Sequence, residues 1–516
     1  MSVQKSLQRD HASSIAISLV INGLLIFGLL TLVNLASETP VDTTSIRLSA
    51  QETVEEVVEE PPPLEEIDPL DNLEEITFET DFSFESPTDT PLDSQDVVVD
   101  AVSTTDVTET VALMSDISSV VTMSNVMIGR TAAGRKAAIG KYGGGLGGVT
   151  EPAVMRALEW LAKVQAKTGN DKGAWLMEGE KGKANAGMTG LALLTFLAHG
   201  ETPSSKIYGE NVALGIRYLI DNQDSTGIFQ PAGSHTGYGH AMATYAIAEA
   251  YTMTGNVLLE EPLERALKVM FDGMNSTGGY DYNYAMTSKK SGGPRSDNSL
   301  NAWHVQAMKA AKISGLGGEQ LNAELQKAMD GMLAVSGKLK DGPGRGFAYS
   351  NSKDFEKDRK GVNNKLLSAA GLLCLHLSGR GNSREARDTL DFVQTFTDKD
   401  NIPEWEKQTI GSYGGEINHW YYTIQAFFHD NPEGRDFKKY MAGMARALVG
   451  NQQSDGRWVC FTPNGKKHGP VYNTTMAALA LMVYYRHLPT TQAENIKDYP
   501  SEEALDAEED DVKFSI

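Results

Sequence analysis

From Glu151 onward, apolar residues recur at helical spacing almost without a break, and the helices so predicted alternate between two kinds. One kind is amphipathic with a charged face, as in VMRALEWLAKVQ. The next is small and apolar nearly all round, as in GMTGLALLTFLA and TTMAALALMVYY. A helix that is apolar all round is buried on every side, so the second kind forms an inner layer and the first an outer layer. The spacing predicts twelve helices, over 152–167, 187–199, 208–222, 238–254, 258–274, 298–314, 319–335, 362–378, 383–397, 416–429, 435–452 and 471–487. They fall into six pairs. Each outer helix is followed by an aromatic residue marked by glycine or proline: Trp175, Phe229, Tyr280, Phe347, Trp405 and Trp458, 51 to 67 residues apart. A period of that length signals a repeat architecture. Two layers of six helices close into a ring, so the predicted fold is all-α, an α6/α6 toroid over 149–490.

The segments RALEWLAKVQ…GAW, GIRYLIDNQDSTGIF and RALVGNQQSDGRW resemble the QW repeats of squalene and oxidosqualene cyclases. Gln165 with Trp175 and Gln453 with Trp458 are the better copies, and Gln223 with Phe229 is a looser one. The resemblance implies the squalene cyclase–prenyltransferase β superfamily, which also holds the thioester domains of complement-like proteins. It implies that the glutamines cap helix ends while the aromatics pack between pairs. It also implies a ligand cavity in the centre of the toroid, at the N-terminal ends of the inner helices.

Helix N-termini carry unpaired N–H groups and partial positive charge, which suit an anion or an ionised acid. The residues placed there are polar or aromatic: His235, Tyr238 and His240; Asp297, Asn298, Asn301, Trp303 and His304; Asn363, Asn364 and Lys365; Glu416, His419, Trp420 and Tyr421; His468, Tyr472 and Asn473. Of these, His235, His240, Trp303, His304, Glu416, His419, Trp420, Tyr421 and Tyr472 are the candidate ligand-binding set. Asp297, in RSDNSLNAWH, has two readings. Asp is a favoured helix N-cap. By the resemblance it also stands where the cyclases carry the acid of a DxDDT-type motif, with Ser299 for the threonine and Arg295 and Asn298 for the flanking acids. A neighbouring arginine favours the ionised carboxylate, so proton donation to an alkene requires Arg295 to point away. The prenyltransferase zinc set is incomplete, because Ser299 and Asn473 stand where the resemblance expects Cys and His, and zinc prefers those ligands. GGEQ, Gly317 to Gln320, lacks the cysteine of a thioester. No metal and no cofactor are expected.

The formal charge of −22 is unevenly spread. Between Ser37 and Val120 there are 23 acidic residues against Arg47, and the last nineteen residues hold eight acids against Lys513. The body that remains is mildly basic and carries no nucleic-acid motif. Ser13 to Ala36 has no charge, long enough for one membrane span. Lys5 and Arg9 precede it, which places the N-terminus in the cytoplasm. The acidic, proline-containing run that follows cannot bury enough surface to fold alone. The expected plan is a cytoplasmic N-terminus over 1–12, a transmembrane helix over 13–36, a disordered acidic tether with a glycine hinge over 37–148, the toroid, and an acidic tail over 491–516. This layout resembles TonB-like inner-membrane proteins, with the toroid on the periplasmic side. Cys374 and Cys460 have neither disulfide-framework nor metal-ligand spacing.

Two functions remain open on the sequence. One is a cyclase- or prenyltransferase-like domain that binds, or modifies, an isoprenoid or other apolar ligand, with Asp297 as acid and Trp420, Tyr421 and Tyr472 stabilising a carbocation. The other is a non-catalytic module that recognises a peptide, glycan or protein partner at its polar mouth. A dry aromatic tunnel favours the first and a shallow polar basin the second.

Overall fold

The computed structural model describes residues 125–486, apart from 178–183, 230–235, 285–294, 352–354, 356–359, 399–401, 408–416 and 461. The anchor over 13–36, the tether up to residue 124 and the tail over 491–516 lie outside the described residues, as do His235 and Glu416. Among the described residues no helix is long and apolar enough to cross a membrane.

After a leading helix α1 (Ala132–Tyr142), six helical hairpins follow. Their outer members are α2 (Gly147–Val164), α4 (Gly209–Asp221), α6 (Glu260–Gly273), α8 (Gly318–Ala334), α10 (Arg384–Gln394) and α12 (Arg435–Val449). Their inner members are α3 (Asn185–Ala198), α5 (Thr236–Thr254), α7 (Asn298–Ser314), α9 (Lys365–Leu377), α11 (Ile417–Asp430) and α13 (Pro463–Leu481). A single turn, α14 (Val483–Arg486), closes the described chain. Every residue of α3 is buried, whereas α6, α10 and α12 bury one face only. Each inner helix packs on the next, α3 on α5, α5 on α7 and so on, and α13 packs back on α3. The inner layer is therefore a closed six-membered ring, and the domain is an α/α toroid. The order of the ring also fixes which helices face each other across the axis: α11 lies opposite α5.

The repeat glutamines bind the outer layer together. Gln165 Nε2 donates to the Gly173 carbonyl in its own turn and to the Asn211 carbonyl in the first turn of α4, both at 2.9 Å. Gln223 repeats this with Gly227 and Pro262, at 2.9 and 2.8 Å. In the last hairpin Gln452 fills the role, donating to Gly456 and to Ala153 in α2, both at 2.8 Å. That bond closes the outer layer on its starting helix. Gln453, which the sequence pattern favours, is exposed and makes its turn through the backbone. The turn tryptophans pack as expected, with Trp175 Nε1 donating to the Leu161 carbonyl and Trp458 Nε1 to that of Leu448.

Three features depart from the predicted layout. Residues 125–142, assigned to the tether, form a 3-10 turn (Asn125–Arg130) and then α1, packed on the toroid with Arg130 buried. The glycine run between Tyr142 and Gly147 is a tight turn, with Gly144 and Gly145 at φ of 54° and 86°. A short antiparallel pair, β1 (Ser336–Lys338) and β2 (Arg345–Phe347), interrupts the helices between α8 and α9. In addition, α13 is kinked at Gly469, whose φ of 79° precedes Pro470, so its regular inner part begins there.

Candidate ligand site at the mouth of the ring

The long, aromatic-bearing connections all meet the inner helices at their N-terminal ends. Much of the polarity at that end serves to hold these connections. The backbone N–H of five of the six turn aromatics donates to a polar side chain near the start of the following inner helix. Trp175 donates to Thr189, Phe229 to His240 Nδ1, Tyr280 to Asn301, Phe347 to Ser368 and Trp458 to Thr474, at 2.8 to 3.2 Å. His240 and Asn301 are thus two variants of one structural latch. With Nδ1 accepting, His240 Nε2 carries the proton and donates to the Ala266 carbonyl at 3.0 Å, so neither nitrogen is left for a ligand. His304 is equally committed. Its Nδ1 donates to the Leu300 carbonyl at 2.9 Å, its Nε2 accepts from Tyr284 at 3.0 Å, and its ring stacks on Tyr280 at 3.7 Å. His419 is buried against Phe396 with Nδ1 bonded to Thr423. Burial holds all three imidazoles neutral, pushing His240 down to about 4 and His304 and His419 down to about 3. Asn364 caps α9 through a bond from the Leu367 N–H.

The aromatic candidates divide by direction. Trp420 turns outward to Trp405, 6.4 Å between ring centroids, and packs the fifth hairpin. Trp303 and Tyr421, from α7 and α11, stack across the lumen at 5.7 Å. Tyr421 donates to Gln306 at 3.0 Å, and the Arg486 guanidinium lies 5.1 Å above its ring. These faces are already covered, so carbocation stabilisation by Trp420 and Tyr421 does not fit the structure. Tyr472 stays near the mouth, half-buried beside His468 at 4.9 Å.

Asp297 is both N-cap and ion-pair partner. It is fully buried, and its Oδ1 accepts from the Ser299 N–H at 3.0 Å and from the Ser299 hydroxyl at 2.5 Å. Tyr238 in turn meets that hydroxyl at 2.5 Å. The other oxygen, Oδ2, accepts from Arg295 Nη2 at 2.6 Å. Arg295 points towards Asp297, and its second nitrogen donates to Asp281 at 2.6 Å. Burial works against the Arg295 charge, but the Asp297 and Asp281 carboxylates outweigh it and hold the guanidinium more basic than usual. Both carboxylate oxygens are therefore already accepting from donors, and neither is left free to present a proton to an alkene. A zinc set around Asp297 fails on the same ground, since Arg295 occupies the oxygen that a cation would take.

Around this pair the structure assembles Tyr238 with Asp281, Tyr282 and Tyr349, three residues that the sequence reading passed over. The Arg295 guanidinium lies 4.8 Å from the Tyr282 ring and 5.6 Å from the Tyr349 ring, and the two tyrosine hydroxyls meet. Tyr238 packs against Tyr282 at 5.9 Å. Tyr349 is brought in by its loop, whose carbonyl accepts from the Asn298 N–H at 2.9 Å. Burial, then the negative charge of Asp297, raises the pKa of both Tyr238 and Tyr349, so both stay protonated. Arg295, Asp281, Tyr282 and Tyr349 are partly exposed, and together they form a surface cluster of tyrosine rings beside a compensated charge group. The run YDYNY after the third turn glycines was the available signal. Among the described residues no three His, Cys, Asp or Glu side chains are grouped to hold a metal.

No protein-family model and no curated protein matches the chain. Solved structures similar to it include an inactive variant of an α-1,6-mannanase of Salegentibacter sp. HEL1_6 in complex with α-1,6-mannotriose. That similarity has 10% identity and a TM-score of 0.46, covering 66% of this chain and 100% of the other. The cellobiose 2-epimerase of Bacillus thermoamylovorans B4167 is similar at 13% identity and a TM-score of 0.45, covering 63% of this chain and 95% of the other. A D-mannose isomerase is similar at 12% identity and a TM-score of 0.44, covering 64% and 96%. The ring rests on its own closed contacts. A terpenoid-cyclase kinship is not established.

Proposed function

We propose that the toroid is a recognition module for a neutral, hydroxyl-rich ligand, a glycan, taken up at the mouth beside Asp297. The observation that carries this is the partly exposed cluster of tyrosine rings set around Arg295, whose charge Asp281 and Asp297 compensate. Planar guanidinium and carboxylate groups pair with vicinal hydroxyls, and aromatic rings accept the apolar C–H face of a pyranose. An isoprenoid would instead strip water from these groups and return no hydrogen bonds, a cost of about 1–3 kcal/mol for each group left unpaired. In this reading Asp297 positions Arg295 and Ser299 and donates no proton. We further propose that the N-terminal anchor and acidic tether hold the module on the periplasmic side of an inner membrane.

The test is saturation-transfer NMR on the full chain in a non-glycosidic detergent, with cellotriose, maltotriose and α-1,6-mannotriose, and with squalene in the same micelles as the competing probe. Binding of at least one trisaccharide, weakened by Tyr349→Ala, is the expected result. Binding of squalene alone would return the function to an apolar ligand.

A further inference from the structure

The six outer helices do not share one surface chemistry. Five of them pair a surface cation with an acid of the same helix: Lys163 with Glu159 in α2, Arg217 with Asp221 in α4, Lys268 with Asp272 in α6, Lys327 with Glu324 in α8 and Arg384 with Asp388 in α10. The sixth, α12, reads RDFKKYMAGMARALV. Its exposed residues are Arg435, Lys438, Lys439 and Arg446, and among the described residues none of the four forms an ion pair. The acid of this helix, Asp436, is half-buried and serves the preceding hairpin, accepting from Gln394 at 3.1 Å and from Thr397 at 3.2 Å. Glu433 is exposed ahead of the first turn. Just past the helix, across the seam, exposed Arg156 bonds the neutral side chain of Gln452 at 2.6 Å. Like charges one turn apart destabilise a helix, so this uncompensated row carries a cost that the other five outer helices offset.

The chain itself carries the matching charge. α12 opens beside the point where the described residues end: Phe437, in its first turn, meets Tyr484 of α14 edge-on at 6.2 Å, and Arg486 follows two residues later. Residues 498–511 then hold eight acids and no base. The eleven residues between, 487–497, can span about 36 Å. That exceeds the length of α12, roughly 22 Å, so the acidic run reaches every cation on the helix. A segment linked this closely has an effective concentration on the order of millimolar, which suits a row of contacts that are each weak in water.

We propose that the acidic run 498–511 docks along the exposed face of α12 in the same chain. It neutralises Arg435, Lys438, Lys439 and Arg446 and covers the last outer helix up to the seam. The contact is electrostatic, because the exposed face of α12 offers cations and no large apolar side chain, and salt weakens it. It is independent of the ligand at the mouth.

The test is zero-length carbodiimide cross-linking of the full chain in a non-ionic detergent, read by peptide mass spectrometry, which joins a lysine only to a carboxylate in contact with it. Links from Lys438 and Lys439 to residues 498–511 of the same chain are expected to exceed those from the exposed loop lysines Lys206 and Lys340 several-fold. They are expected to fall several-fold at about 0.5 M salt, where screening cuts surface attraction to about 4 Å. Arg435→Gln with Arg446→Gln leaves both lysines and the buried face of α12 in place, so this variant is expected to fold as wild type and to weaken the same links. Links spread evenly over the exposed lysines would overturn the proposal. So would links from α12 mainly to other distant acids or to a second copy, and so would links unmoved by salt and by the two substitutions.

Discussion

Arg130 and Glu249 meet face to face in the floor of the ring, with the guanidinium donating to both carboxylate oxygens at 2.7 and 2.9 Å. Both are buried, and Arg130 also donates to the Arg486 carbonyl at 3.0 Å. The segment ahead of the hairpins thus closes the end of the lumen remote from the mouth. It supplies the cation without which Glu249 would be buried and unpaired. Removing one partner of such a pair costs about 3–5 kcal/mol, whereas replacing both with apolar groups is often near neutral. Arg130→Met and Glu249→Leu are each expected to lose stability on that scale in denaturant unfolding of the full chain, and the double variant to recover most of it. A double variant no more stable than the singles would show that Arg130 acts through its other bonds.

The outer layer has one seam, where the last hairpin returns to the first. Gln452 spans it, donating to Ala153 while its Oε1 accepts from Arg156 at 2.6 Å. Gln452→Ala is expected to cost about 1–3 kcal/mol, because it leaves the Ala153 carbonyl and the Arg156 guanidinium short of a partner. Gln453→Ala, one residue on and exposed, is expected to fall within about 0.5 kcal/mol of wild type. Thermal unfolding of the two variants checks this, and equal losses would show that the seam is held by packing rather than by Gln452.

That pair of adjacent glutamines shows where sequence reading stopped. The twelve helices and their two layers were legible because burial on all sides selects small apolar residues, as in α3, and one-sided burial leaves a charged face, as in α10. The closing glutamine was not, since 452 and 453 differ only in which way the chain leaves α12. The same limit hid the latch. His240 and Asn301 are visibly polar, but only the position of the Phe229 and Tyr280 N–H groups turns them from candidate ligands into supports. Tyr421 and Tyr422 are neighbours in sequence yet about 100° apart around the helix, so one joins Gln306 and the other meets Trp303 edge-on. The Arg130 segment was lost to the tether because NVMIGRTAAGRKAAIGKY is rich in glycine and weakly amphipathic, and its structure comes from tertiary contacts.

Asp297 combines a cap with a charge pair, and substitutions separate the two. Asp297→Asn keeps an oxygen for the Ser299 N–H but gives up the ion pair with Arg295, which retains Asp281. Asp297→Ala loses the cap as well, worth about 1 kcal/mol on its own. The expected order of stability is wild type, then Asn, then Ala, read by chemical denaturation. An Asn variant as unstable as Ala would mean that the Arg295 pair, not the cap, dominates.

The buried histidines set the acid limit of the fold. Burial depresses His376 to about 4, as it does His240, while His304 and His419 lie near 3. In the unfolded chain each protonates near pH 6.5. The folded pKa is lower, so the stability these groups contribute is present above 6.5 and is lost as pH falls towards the folded values. Each contributes a slope of up to about 1.4 kcal/mol per pH unit. His199 runs the other way. Burial opposes its charge, but the carboxylates of Glu151 and Glu201, paired with it at 3.3 and 2.9 Å, raise its pKa, so its contribution is present below 6.5 and is lost as pH rises through the raised value. Four groups against one predict that unfolding free energy falls steadily between about pH 6.5 and 4.5, ahead of carboxylate titration. His240→Gln, which keeps an acceptor for Phe229, is expected to flatten that slope by one proton. A stability profile that is level down to pH 5 would mean that these imidazoles are already charged, or freely hydrated, in the folded ring.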